Sequence, residues 1–351
     1  MKILHLLDER WDSGLTAYGL ASARAMKQRG HDVHVAARPG LSAARQAESL
    51  GLPAHPLTTP LALRRWVGKI GFDVVNAHTG ASHTLGFLAT RFRPMALVRT
   101  RGEARQLSIR PGQGFLFRET DGVIVASKAL AESYGARFPF LMDQISVIYP
   151  GMDMPTLLPA PSCPIRIGIL GRLDPVKGHA FFLEAVGLLK DHLRDESFLI
   201  AGEEKNTGRD ELERQSHRWG ISRWVRFLGR VPDAGVFMDD CHVGVIASVE
   251  SEAVSRAALE WLARGRPLVA TEVGALPEMV LNGDNGFLVP PRNATGLART
   301  IRILIDEPNR RKKMGERARR TAETRFSLDR MGEETERAYT AALARRKGRF
   351  L

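Results

Sequence analysis

Short apolar, β-branched runs alternate along the whole chain with longer segments whose apolar residues recur at helical spacing, the pattern of βαβ units and parallel sheets. In the first half the runs are Lys2 to Leu7, Asp32 to Ala37, Val74 to Ala77, Ala96 to Thr100, Gly122 to Ala126 and Ile145 to Ile148. The second half repeats the plan with Ile165 to Leu170, Phe198 to Ala201, Val225 to Leu228, Val243 to Ala247, Leu268 to Ala270 and Phe287 to Val289. Between the halves, Tyr149 to Pro164 carries Pro150, Pro155, Pro159, Pro161 and Pro164 with Gly151, which excludes a helix and marks a linker. The pattern predicts an α/β chain of two doubly wound domains, residues 1–155 and 156–325, followed by an Arg-rich helical tail, 326–351. Such sheets bind ligands beyond the carboxyl ends of their strands, so two of them facing each other would place a site in the cleft between.

Composition narrows the class. With 351 residues, 44% hydrophobic and 26% charged, the chain reads as a soluble globular protein with room for two cores. No stretch approaches the roughly 18 unbroken apolar residues of a membrane span. The opening Met1 to Asp8 is too short an apolar run for a secretory signal and reads as a first strand. Two cysteines, Cys163 and Cys241, argue against a disulfide framework or a zinc cage and fit a reducing cytoplasm. The net charge of +12 is unevenly spread: 19 Lys and Arg against 11 Asp and Glu in residues 1–150, 17 against 20 in 151–300, and 15 against 8 in 301–351. A basic first half and a basic tail suit an anionic partner, whether nucleic acid, a membrane surface or a phosphorylated substrate; plain solubility is the alternative.

Three segments could carry chemistry. Gly14 stands between the first strand and a helical segment, where backbone amides can hold an anion and a glycine admits a ligand; a tight turn would explain it as well. The segment Gly168 to His179 leaves a strand through Gly171-Arg172 and Lys177-Gly178, two cations five residues apart that can reach one diphosphate, Arg as a fork and Lys as a point charge. Two solvated loop cations remain the plain alternative. The spacing is neither that of a Walker loop nor that of a dinucleotide fingerprint. The third segment runs from Ser251 to Trp261, with Glu252 expected at a helix start and Glu260 about two turns on, about 12 Å further along the axis. The amides of Ala253, Val254 and Ser255 would lie free between them. Carboxylates so far apart suit the hydroxyls of a long polyol better than a shared proton; a solvated helical pair is the alternative.

These blocks, with Gly274-Ala275-Leu276-Pro277-Glu278 and Gly286-Phe287-Leu288-Val289-Pro290, closely resemble the retaining glycosyltransferases of family four over nearly the whole second half. The first half agrees more loosely, through Gly14, Arg29-Gly30-His31-Asp32-Val33, Asp73 to His78 and Val147 to Asp153. The tail from Phe326-Ser327 to Tyr339 looks like the family's last helices, which cross back to the first domain. The resemblance implies a GT-B enzyme, two Rossmann-like domains facing across a cleft, with a nucleoside-diphosphate sugar held in the second. By position, Arg172 and Lys177 would neutralise the diphosphate, Glu252 would hold sugar hydroxyls and Glu260 ribose hydroxyls. Gly171, Ala253, Val254 and Ser255 would line the donor, Gly14 would approach it, and His78 would stand near donor sugar and acceptor. No metal or other cofactor is expected, because the two cations replace it.

The chain departs from the family pattern in having Ser13-Gly14 for a double glycine, Ala253-Val254-Ser255 for a glycine-aromatic-glycine run, and Asn76 where a histidine is common. Arg91, Arg93, Arg99, Arg101, Arg105 and Arg110 cluster in the expected acceptor domain. Arg99, Arg101 and Arg105 are read as an anionic-acceptor or anionic-surface site, suiting a phosphorylated lipid-linked sugar, a lipopolysaccharide core or the inner leaflet of a membrane. Nucleic acid is not expected, because the Arg cluster from 91 to 110, with Phe92 as its one aromatic, lacks the interleaved aromatics of a stacking platform. The reading is a cytoplasmic, metal-independent, retaining glycosyltransferase acting on an envelope glycan or glycolipid. The alternatives are a nucleotide-sugar epimerase of the same fold and a non-catalytic nucleotide-sugar or anionic-surface binding protein.

Overall fold

The computed structural model describes residues 1–10, 13–57, 59–102, 111–162, 164–250, 252 and 255–349. The chain divides into two compact units, Met1–Asp153 with Phe326–Leu351, and Met154–Arg325.

The first unit is built on a parallel sheet of β1 (Lys2–Leu7), β2 (Asp32–Ala37), β3 (Ala54–Pro56), β4 (Val74–Ala77), β5 (Ala96–Arg101), β6 (Gly122–Val125) and β7 (Ile145–Val147), in the order β3-β2-β1-β4-β5-β6-β7. The order reverses direction between β1 and β4, whose registers run Ile3 to Val74 through Leu6 to Ala77. β1, β4, β5 and β6 are buried almost throughout, as continuous apolar strands covered on both faces must be. The pattern of the sequence missed β3: three residues with a proline on the sheet's edge carry no alternation to read.

The tail belongs to this unit. Its helix, Leu328–Gly348, lies against the helix Gly14–Gln28, where Gly332 packs on Arg29 and Ala25. Glu336 pairs with Arg29 at 2.7 Å and lies 3.1 Å from His31, so the Arg29-Gly30-His31 motif is a mooring for the tail. Gly30, at φ +84°, makes the turn out of the preceding helix that only glycine adopts without strain. The chain leaving β7 is fastened to the start of the tail by Met152 N to Phe326 O and Leu328 N to Met152 O, each 3.0 Å.

The second unit repeats the plan with β8 (Arg166–Leu170), β9 (Ser197–Ala201), β10 (Val225–Gly229), β11 (Val243–Ile246), β12 (Leu268–Thr271) and β13 (Gly286–Val289), all parallel in the order β10-β9-β8-β11-β12-β13. Direction reverses between β8 and β11. Ile167, Ile169, Val243 and Val245 enter one core with Phe182, Phe198 and Leu297. Gly168 and Gly244 let neighbouring helices close on the sheet: a Cβ at Gly244 would meet the Trp261 ring at 2.4 Å. No helix of the described residues is long and apolar enough to cross a membrane.

Candidate donor site

At the reversal of strand order in the second unit, beyond the carboxyl ends of β8 and β11, lies a cavity of about 250 Å³. Gly171, Lys177, Glu252 and Ser255 line it together with His179, Ser248 and Arg256. Two larger cavities, about 540 and 520 Å³, lie along the helix Pro308–Arg325 and touch none of the expected site residues.

The loop after β8 is held at both ends by backbone. Gly171 N donates to Ala201 O at 3.0 Å, and Leu173 O accepts from the amides of Lys205, Asn206 and Thr207. Asp174 caps the single turn Pro175–Lys177, accepting from Val176 N at 3.1 Å, while its other oxygen takes Asn206 Nδ2 at 2.8 Å. Gly178 then reverses the chain at φ +71°, and a Cβ there would sit 1.9 Å from Ala247 O. His179 is buried and shares a 3.0 Å hydrogen bond through Nε2 with the carbonyl of Arg172, tying the two ends of the loop together. Burial is the main cause that keeps this ring below the ordinary histidine pKa, so it serves as a neutral strut. The Arg172 side chain is exposed and makes no ion pair among the described residues.

Glu252 is placed from the other side. Its backbone oxygen accepts from Ala275 N at 2.7 Å, and Gly274, at φ +55°, packs so closely that a Cβ would meet Glu252 O at 2.2 Å. The Gly274-Ala275 motif is therefore the seat of Glu252. The carboxylate is buried, accepts from Ser248 Oγ at 2.7 Å and pairs with the Lys177 ammonium. A buried carboxylate needs such partners, since its desolvation is offset only by a paired charge and hydrogen bonds.

Three expectations change in the structure. The helix begins at Arg256 behind a Ser255 cap rather than at Glu252, because the Ser255 side chain takes the Ala258 amide. Glu260 therefore stands one turn into the helix, about 6 Å along it, and accepts from Arg256 Nε at 2.7 Å instead of lining the cavity. Arg256, which the sequence reading passed over, is the further cation at the cavity wall. Arg99 and Arg101 are not a surface: both are buried at the end of β5, Arg99 donating to Ala77 O at 3.0 Å and Arg101 reaching Tyr134 OH at 3.4 Å. Flanked by β4 and β6, a guanidinium there must satisfy carbonyls and hydroxyls of its own unit. Arg105, Ala253 and Val254 lie outside the described residues.

His78 and Gly14 belong to the first unit. His78 follows β4 and is almost fully buried, with its Nε2 3.0 Å from His5 Nδ1. Burial first, then His5 and Arg99, hold it well below the ordinary histidine pKa, and burial takes His5 to about 3. The ring is thus a neutral, enclosed group. Asn76 accepts from Thr100 Oγ1 at 2.8 Å and donates to Tyr339 OH at 2.6 Å, binding the sheet to the tail. Gly14 opens its helix after the Ser13 cap, and among the described residues nothing lies within 4 Å of a Cβ there, so none of them requires glycine at this position.

A family model described as glycosyl transferases group 1 matches residues 164–307, and one described as glycosyltransferase family 4 matches residues 13–154. Glycogen synthase of Mycobacterium tuberculosis (strain CDC 1551 / Oshkosh) is 29% identical over 236 residues, 66% of this chain and 56% of its own length, so the chain spans little more than half of that relative. Phosphatidyl-myo-inositol mannosyltransferase of Mycobacterium leprae is 27% identical over 319 residues, 83% of each chain. Anabaena HepE, solved in complex with UDP, superposes with a TM-score of 0.83 at 21% identity, over 97% of this chain and 100% of the other, a likeness of fold. The chain is thus two Rossmann-like units of GT-B type, the first carrying a glycosyltransferase family 4 domain and the second a glycosyl transferases group 1 domain.

Proposed function

We propose that the protein transfers a sugar from a nucleoside diphosphate to an envelope glycan or glycolipid, with retention of anomeric configuration and without a metal. The observation that carries this reading is the cavity beyond β8 and β11, where Lys177 and Glu252 meet, with the exposed Arg172 on the loop that delivers Lys177. As the bond from the anomeric carbon to the diphosphate breaks, negative charge grows on the leaving oxygen, and fixed cations stabilise it more in the transition state than in the ground state. Lys177 and Arg172 are the groups for that task. A diphosphate competes with Glu252 for the Lys177 ammonium, and the released carboxylate, still held by Ser248, becomes an acceptor for sugar hydroxyls. The UDP of HepE and the lipid acceptor named for the M. leprae relative support this donor class and a glycolipid acceptor. Contact with an anionic leaflet belongs to the same reading.

Thermal-shift and hydrolysis assays with UDP-, GDP-, ADP- and CMP-linked sugars, in EDTA, test it. Stabilisation by one donor together with slow release of its sugar is the expected result. Absence of any shift contradicts donor binding; a shift with release of an epimerised free sugar and no transfer would make the protein an epimerase.

A further inference from the structure

Three segments of the first unit converge on one patch. Arg64, on the helix Pro60–Ile70, donates to Leu88 O at 2.7 Å and Arg91 O at 3.0 Å at the end of the helix Gly80–Thr90, and Arg93 returns a bond to Arg64 O at 2.7 Å. The Arg91 guanidinium lies between two rings, 4.8 Å from Phe92 and 5.4 Å from Phe87, and Phe87 meets Phe115 edge-on at 5.8 Å. Phe115 is on the helix Gln113–Arg118. The outward side chains are apolar: Phe92 is 76% exposed, Leu61 59%, Phe115 53% and Leu88 39%.

Phe92 sets this patch apart from scattered surface residues. It is held at φ +62°, a region a bulky L residue occupies only at a cost in strain, and the strained backbone keeps the ring in solvent. The charge is as one-sided as the exposure. From residue 49 to residue 98 the sole acid is Asp73, at the amino end of β4, against Arg64, Arg65, Lys69, Arg91 and Arg93. Arg65, one turn after Leu61, and Arg118, one turn after Phe115, are both exposed.

We infer that this face docks on an anionic lipid surface, its Phe and Leu side chains entering the boundary between headgroups and acyl chains and its arginines lying among the phosphates. A second copy of the chain fits poorly, because a two-fold contact would bring arginine against arginine with no acid on any of the three segments. The inference rests on the leaflet contact proposed above, but vesicle binding is read without turnover, so failure of sugar transfer would leave it standing.

The test is co-sedimentation of the full chain with vesicles of phosphatidylcholine alone or mixed with phosphatidylglycerol. Binding to the mixed vesicles only is expected, weakened about tenfold by Phe92→Asp with Phe115→Asp and about fivefold by each of Arg65→Glu and Arg118→Glu. Phe92→Gly separates docking from folding: glycine relieves the left-handed backbone, so Tm holds or rises while vesicle binding falls. The inference is overturned if the wild type ignores phosphatidylglycerol, or if these variants bind as it does. It is also overturned if sedimentation equilibrium shows a dimer or a protein complex that Phe115→Asp dissolves while vesicles remain unbound.

Discussion

The two units share one construction and use its most informative position in opposite ways. In both, strand order reverses beside the first strand, between β1 and β4 and between β8 and β11, the place where open parallel sheets bind ligands. In the first unit, that position holds His5 and His78, buried, stacked at 5.2 Å and uncharged. In the second it holds a cavity with an ammonium, a carboxylate and the exposed guanidinium of Arg256. Strand order thus says where a ligand can sit, and the charge left in contact with solvent says which of two equivalent positions is built to take an anion.

The contrast can be broken at its glycines. Gly178→Ala forces a Cβ into the Ala247 carbonyl at a positive φ, and the second unit should lose about 3 kcal/mol or more, read as a large fall in Tm. Gly14→Ala meets no atom of the described residues and sits in a helix, so stability should stay within about 0.5 kcal/mol of the wild type or rise. A loss of turnover in that variant would then report ligand approach at Gly14; a loss of stability would mean that the fold itself needs the glycine.

Acid should act on the first position through its histidines. A histidine whose pKa is lowered on folding binds fewer protons folded than unfolded. Its contribution is therefore complete above the unfolded value of about 6.5 and is lost as pH falls toward the folded value, about 3 for His5. His83 in the first unit and His179 and His242 in the second shift in the same direction. The expected slope for His5 is about 1 kcal/mol per pH unit between pH 6.5 and its folded value, and the other histidines add to it in the same direction. Melting curves between pH 7 and 4 measure it, and His78→Gln should flatten the profile; a variant profile parallel to the wild type would contradict the neutral pair.

The smallest effect belongs to Glu260→Gln. Its pairing with the exposed Arg256 is worth about 0.5 kcal/mol to stability. About a tenfold loss of donor affinity at nearly unchanged Tm would place ribose hydroxyls at this carboxylate, and unchanged affinity would remove it from the site.

Much of this was legible in the chain because it depends on local pattern. Apolar strands such as Val243–Ile246 and Leu268–Thr271 are buried on both faces, and loops such as Gly171 to Gly178 announce themselves through glycine and proline. What escaped depends on contacts distant in sequence. Arg99 and Arg101 count as basic surface until β4 and β6 enclose them. Glu252 looks like a helix start until Ser255 takes the cap and Gly274 fixes the Glu252 backbone. His78 could be open or enclosed, and only the packing of Gly19 and His5 decides it.

The central claim is that the Lys177 and Arg172 loop binds the diphosphate. Calorimetric titration of UDP into the wild type, Arg172→Ala and Lys177→Ala tests it most directly, with Lys177→Ala/Glu252→Gln included so that no buried carboxylate is left without its cation. Charge-assisted bonds to phosphate predict a loss of about 10-fold to 100-fold for each lost cation at a retained fold. Equal UDP affinity in the wild type and all three variants would contradict the account and move the anion site elsewhere in the molecule.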